Sequence, residues 1–283
     1  DMSYMFQDLG ALTDLDISNF DTSNVKKMNG MFSGCGLLKS LDISKFNTKN
    51  VEDMSLMFRS CSQVTNLDVS HFETEKVVSM ESMFQYCRSL QTLDVSNFDT
   101  RSCTDFSRMF EEVPVTELKV GKFDTSKAKS MKSMFSGMKR VIFLDVSNFN
   151  TASVTDMSYM FQDCSRVTGL ELSKFDTSNV LYMHYMFENV GSSQLDVSKF
   201  NTAKVENMMC MFSGCSATEL DLKSVDTSKV TDMYEMFQGC SYIKSLDLSS
   251  FNTKKSTDMG AMFKGCSRLE YLNIKSFDTS SVI

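Results

Sequence analysis

The sequence contains no tryptophan, one proline (Pro114) and two histidines, His71 and His184. Each scarcity narrows the field. With so little proline and no long Gly/Ser-rich stretch, nothing marks a linker between domains. The two histidines stand far apart, neither in an H-x₃-H spacing, and no cysteine pair reads as C-x₂-C, so no metal site is signalled. No run approaches the roughly 20 apolar residues that cross a bilayer. No basic-then-apolar leader opens the chain. A basic excess is also missing: the net charge is −7, which speaks against a nucleic-acid partner. There is no Gly-rich phosphate cradle, since "SGCG" at Ser33–Gly36 belongs to a recurring element. No nucleophile has a plausible base. Neither an enzyme nor a cofactor is expected.

What the sequence has instead is repetition. Met-Phe occurs at Met5, Met31, Met57, Met83, Met109, Met134, Met160, Met186, Met211, Met236 and Met262, at spacings of 25 or 26 residues. A fixed period of this length signals a solenoid, in which no repeat buries its apolar face alone. The expectation is a single array over residues 1–283, eleven repeats cut mid-repeat at both ends. The absence of a cap at either end reads as a segment of something longer, or as an end that abuts another domain.

One repeat shows the logic. In Leu41–Phe46, Leu41 and Ile43 alternate with Asp42 and Ser44. That period of two predicts a short strand with one buried face. Phe46 occupies a position that is Phe in every repeat but one, where Val225 stands, and is assigned to the core. "NTKN" follows, turn chemistry in which Asn or Asp and Thr bond their own backbone. Val51, Met54, Met57, Phe58, Cys61 and Val64 come at steps of mostly three or four. This predicts a short helical or 3₁₀ turn with its apolar side inward. The fold expected is α/β: a right-handed solenoid of eleven coils, with a parallel sheet on one side and short helical or 3₁₀ turns on the other. The shorter periods lose a residue between the Phe and the next Leu, as in Phe110–Leu118.

Seven of the nine cysteines fall three residues after the Phe of Met-Phe, where other repeats carry Leu9, Val113, Met138 and Val190. Apolar substitutes predict buried, reduced thiols acting as small hydrophobes. An acidic ladder follows the strand leucine: Asp16, Asp42, Asp68, Asp94, Asp145, Asp196, Asp221 and Asp247. These carboxylates are expected to face solvent and to be held by neighbouring Ser, Thr and backbone N–H groups. Cation binding between coils is the alternative.

Two departures from the template are candidate sites. The positions flanking the second Met are mostly polar, but Tyr159, Leu181, Tyr182, Tyr185 and Met209 break that pattern as a group. Clustered Tyr with apolar neighbours has the character of an interface anchor. The competing reading has these side chains folding over adjacent 25-residue coils. The second departure is basic: Lys119, Lys122, Lys127, Lys129, Lys132, Lys139 and Arg140. On an acidic chain such a stripe would attract a polyanion, for example a sulfated glycan; a solvated face is the alternative.

The pattern LDxSxFxTxxVxxMxxMFxxCxxL resembles the BspA-like leucine-rich-repeat surface proteins, in the variant with a 26-residue period. The resemblance covers essentially the whole chain. It implies a leucine-rich-repeat-like solenoid at the cell surface or secreted, engaged in adhesion or protein binding. The implied partner is a protein or glycan on a host or neighbouring cell. A stiff spacer without a ligand site and an intracellular interaction scaffold are the rival readings.

Overall fold

The computed structural model describes residues 1–283. Each repeat forms one coil, and successive coils stack in parallel. Along one side, parallel bridges run from Lys27↔Asp53 and Asp53↔Ser79 on to Asp232↔Asp258. Around Leu-Asp, pairing is sparser: Asn66↔Thr92, Glu117↔Phe143, Phe143↔Gly169 and Gln194↔Glu219. Only near the C-terminal end do strands form there, β1 (Ser245–Asp247) and β2 (Tyr271–Asn273), paired in parallel with Leu246 opposite Leu272. The sheet expected on the Leu-Asp side is thus mostly single bridges.

The expected helical or 3₁₀ turns are not formed. The Met-Phe segment is a chain of β-turns whose N–H groups alternate in direction. Met57, Arg59 and Cys61 donate three residues back, to the carbonyls of Met54, Leu56 and Phe58, at 3.3, 3.0 and 3.1 Å. Met54, Leu56, Phe58 and Ser60 instead donate to the next coil, to Ser79, Glu81, Met83 and Gln85, at 3.2, 2.7, 3.0 and 2.8 Å. A helix keeps all these bonds within itself; here half are given to the neighbour. The step of three that suggested a 3₁₀ turn is real, but its geometry is that of successive turns. Left-handed residues make this possible: Leu56 has φ 60° and Ser60 φ 59°. An L-residue in that region costs about 1–2 kcal/mol. Every coil places two residues there, one before the Met of Met-Phe and one two after its Phe.

Packing between coils offsets that cost. The Met-Phe phenylalanines form one column from Phe6 to Phe263, each ring stacked on the next; Phe110, Phe135 and Phe161 are 5.9 and 5.8 Å apart. The buried apolar side chains make one continuous cluster from Ile17 to Met262. Six of the seven aligned cysteines lie in it unbridged, with Cys266 half-buried against it, and Cys61, Cys87 and Cys164 donate S–H to the Phe32, Phe58 and Phe135 carbonyls of the preceding coil at 3.1–3.2 Å. Cys215 and Cys240 have sulfurs 3.7 Å apart, well beyond the ~2 Å of a disulfide.

The recurring Thr has a role the sequence did not reveal. Its hydroxyl reaches the next coil rather than its own turn. Thr177 Oγ1 donates to the Asn201 carbonyl at 2.9 Å and accepts the Asn201 N–H at 2.8 Å. Thr48, Thr74 and Thr227 do the same to Glu73, Asp99 and Asn252. The Asp or Asn before Thr does turn the chain locally, as when Asp176 accepts the Ser178 N–H at 2.9 Å. The shorter coils lack the Cys-x-x-Leu turn seen, for example, as Leu38 N–H to Cys35 carbonyl at 3.2 Å. In its place Gly191 donates directly to Cys164 at 3.1 Å.

Candidate functional site: an aromatic patch on the turn ladder

Three residues before the left-handed Leu56, Ser82, Tyr159 or Tyr185, each coil has a position that opens the turn. An Asx or Ser side chain there accepts the N–H two residues on. Asp53 takes Ser55 N–H at 2.9 Å, Asp156 takes Ser158 at 2.9 Å and Asn207 takes Met209 at 2.8 Å. Tyr182 and Lys27 occupy this position without an acceptor. The coil of Tyr182 therefore gives up a cap, and Tyr182 stands 39% exposed beside the bridges to Asp156 and Asn207.

The structure brings the predicted aromatic residues together. Tyr159 and Tyr185 hold left-handed conformations, φ 61° and 59°, and stack one coil apart with centroids 4.7 Å apart and planes at 7°. His184, which the sequence did not place in the group, sits among them. Its ring meets Tyr159 edge-on at 5.1 Å and Tyr182 and Tyr185 at 6.2 Å each. Its Nδ1 is buried without a hydrogen-bond partner. Burial, with Lys132 adding, holds the imidazole below its usual range against Asp156 and Asp232, so it is neutral at pH 7. Lys132 lies over the Tyr159 ring at 5.9 Å. On the other side, burial pushes the Tyr185 hydroxyl up, with the Cys210 thiol contributing. Leu181 and Met209 flank the group half-buried, as are Tyr159 and Tyr185 themselves. Part of the aromatic area is thus spent within the chain, and Tyr182 is the most exposed member of the group.

The basic residues are not brought together. They are spread around one coil's circumference and into the turn that follows it. Lys119 and Lys122 share a trough with Gly121, Phe143 and Asp145 on the Leu-Asp side, where Lys119 pairs loosely with Glu117 at 3.8 Å. Lys132 is in the aromatic patch on the turn ladder. Lys129 bonds through its backbone to Thr104 and Thr155. Lys127 lies in the turn after Thr125, exposed. Lys139 and Arg140 line a different hollow with Arg88, Glu112 and Pro114, and Lys139 faces Asp163 at 3.6 Å.

Each ladder carboxylate is engaged within its own coil. Ser70 donates its hydroxyl to Asp68 at 2.7 Å and its N–H at 3.0 Å. These bonds hold Asp68 below the usual carboxylate range, and the same arrangement lowers Asp16, Asp42, Asp94, Asp196 and Asp247. These six carboxylates are ionised at neutral pH.

The Leu-Asp face is less monotonous than its sequence suggests. Phe143 is 66% exposed and Ile142 44% exposed. Phe143 occupies a position held elsewhere by Asn66, Thr92, Glu117, Gly169, Gln194 or Ser245, with Tyr271 the other aromatic there. That contrast was available in the sequence, but an aromatic residue beside a strand leucine reads as core.

The fold defines a parallel-stacked repeat solenoid, with a column of buried phenylalanines and bonded Thr and Asx ladders. The chain belongs to the family described as "Mycoplasma protein of unknown function, DUF285", whose profile matches residues 1–119, 104–224 and 209–283. No curated protein matches it. Among solved structures it is similar to a leucine-rich repeat protein from Bacteroides ovatus, at 16% identity and a TM-score of 0.33, covering 85% of this chain and 80% of that one. It is also similar to the functional domain of InlJ from Listeria monocytogenes, described as including a cysteine ladder, at 15% identity and a TM-score of 0.32, covering 92% of this chain and 64% of that one. A leucine-rich cell surface protein from Faecalibacterium prausnitzii follows at 13% identity and a TM-score of 0.27, covering 80% and 77%. No helix is long and apolar enough to cross a membrane.

Proposed function

We propose that this chain is a non-enzymatic protein-binding repeat module of the BspA-like type, displayed outside the cell, where it mediates adhesion. Its docking site is the patch of Tyr159, Tyr182, His184, Tyr185 and Met209. The observation that carries this reading is Tyr182. A solenoid that caps this turn in nearly every coil forgoes the cap where an exposed Tyr adjoins two stacked ones. Giving up a hydrogen bond worth about 1 kcal/mol for an exposed aromatic side chain makes sense if the ring meets something else. Tyr is also suited to the task, offering a large rigid area at low conformational cost.

The test is binding of the purified chain to intact host cells and to immobilised extracellular-matrix proteins. Replacing Tyr159, Tyr182 and Tyr185 by Ala should weaken binding at least tenfold, about 1.4 kcal/mol, while the fold persists. The exposed ladder carboxylates contribute mainly salt-sensitive steering, so Asp68, Asp94 and Asp145 to Asn should change it little. The opposite pattern would move the site to the Leu-Asp face.

A stiff spacer is the second reading. The unbroken phenylalanine column from Phe6 to Phe263 favours it. A spacer would bind no cell or matrix protein, with or without the three tyrosines.

A further inference from the structure

The Leu-Asp face carries a feature that the tyrosine patch does not explain. Ile142 and Phe143 are adjacent exposed apolar residues on a rod whose other Leu-Asp positions are largely polar. Around Phe143 the template changes in several neighbouring places. Lys119 replaces the ladder Asp one coil before it. Gly121 replaces the Ser that normally follows, and a Cβ there would lie 2.6 Å from the Asp145 carboxylate. Gly169, bridged to Phe143 from the next coil, has open space where a side chain would stand. The outcome is a ring with a cleared floor over Gly169, while the Asp145 carboxylate fills the space beside Gly121. One trough of about 500 Å³ separates Phe143 from Lys119 and Lys122. Another of about 310 Å³ runs from Phe143 over Gly169 toward Glu171 and Asp196.

The two troughs differ in charge. The one beyond Gly169 is lined by Asp145, Glu171 and Asp196 and by no basic residue. Each of those carboxylates accepts a hydrogen bond from the N–H two residues on, at 2.9–3.1 Å, and Glu171 and Asp196 are exposed. Successive coils set them at the ~4.8 Å spacing of parallel strands. An extended chain places same-side groups ~6.7 Å apart, a difference that flexible lysine or arginine stems absorb.

We propose that the Phe143 face docks an extended segment of a partner protein, in which an apolar side chain is followed at alternate positions by basic ones. The apolar side chain packs on Phe143 over the floor left by Gly169. The basic side chains reach Glu171 and Asp196. Charge complementarity selects this occupant: an acidic segment would meet three carboxylates in the same trough. This surface is separate from the tyrosine patch, and the inference stands if that patch binds nothing.

The experiment uses a fluorescein-labelled octapeptide with one Phe followed by Lys at alternate positions, titrated with the whole chain by fluorescence anisotropy. Two control peptides replace the Phe by Ser, or each Lys by Glu. The Phe–Lys peptide should bind, and both controls should bind at least tenfold more weakly. Phe143→Ser and the double change Glu171→Lys with Asp196→Lys should each weaken the Phe–Lys peptide at least tenfold. These side chains are exposed, and circular dichroism checks that the coils persist. Raising the salt concentration should weaken the interaction. The triple tyrosine variant should bind the peptide as the unaltered chain does, so failure of the tyrosine reading and of this one are told apart. The inference is overturned if no peptide binds, if the Lys and Glu peptides bind alike, or if Phe143→Ser leaves the affinity unchanged.

Discussion

Thr177→Val removes one hydroxyl and keeps the side chain's shape. Thr177 is 1% exposed, and its oxygen makes two bonds to one residue of the next coil, the Asn201 carbonyl and N–H. Each such bond contributes about 1 kcal/mol net, and stranding a buried partner costs about 1–3 kcal/mol. Asn201 is exposed in its side chain, so water reaches part of this backbone, and the loss should be about 2–3 kcal/mol. Thr177→Ser keeps both bonds and deletes one buried methyl, at about 0.8 kcal/mol. The valine variant should therefore be the less stable by about 1.5 kcal/mol, more than tenfold in the opening equilibrium. A solenoid unfolds as coupled neighbours rather than as one unit, so the assay should be local. Hydrogen exchange by mass spectrometry at Asn201 is the direct readout, with tyrosine fluorescence in urea as the global one. If Val proves as stable as Ser, or if Asn201 exchange is unchanged in Thr177→Val, the Thr is a local turn residue and the stapling argument fails.

Burial pushes the Cys87 and Cys164 thiols up to about 12, so Ellman's reagent at pH 8 should find Cys266 at most before denaturation and all nine cysteines after it. Because the folded value of Cys87 lies above the unfolded one near 9, its contribution to stability is full below that pH. It is lost as pH rises toward about 12; Cys87→Val should flatten this alkaline limb in urea titrations. Gly191→Ala would set a Cβ 2.2 Å from the Ser165 carbonyl, and should lower the urea midpoint by the equivalent of about 1–3 kcal/mol. Gly169→Ala meets nothing within 4 Å, and should change stability by less than about 0.5 kcal/mol. Tyr182→Asp restores the acceptor for the His184 N–H; it should raise the melting temperature while weakening binding to cells and matrix proteins.

The stacking, the buried columns and the free thiols were legible because they depend on periodicity and side-chain type alone. A residue three after Met-Phe that alternates between Cys, Leu, Val and Met has to be in an apolar place. The course of the backbone was not legible in the same way. Helical turns and tandem β-turns both return an apolar side chain every three or four residues, so Val51 to Val64 is consistent with either. The distinguishing signal lies in the left-handed positions. The second of them carries Gly34, Gly137, Gly214, Gly239 and Gly265, with Asp8, Asp163 and Asn189, in eight of eleven coils, residues such a conformation favours; Ser60, Tyr86 and Glu112 are the exceptions. The first carries Tyr4, Leu56, Arg108, Tyr159, Tyr185 and Glu235, which no propensity rule would place there.

That first left-handed position also explains why half of the candidate site could be read and half could not. Tyr159 and Tyr185 share a phase, so parallel stacking alone placed them one above the other, and the 4.7 Å between their rings follows from the coil spacing. His184 precedes Tyr185 at a position filled by Ser55, Glu81, Lys132 or Tyr234 in other coils. Such variety reads as solvent-facing; only the left-handed turn of the next residue swings the imidazole between the rings. Phe143 was missed for the converse reason. Its neighbours Leu144 and Val146 are buried, and an aromatic residue at the head of a strand is usually counted with them. On a flat ladder the alternation that buries Leu144 must turn Phe143 outward. A strict period of two, applied to Phe143 rather than to the strand as a block, turns that ring outward.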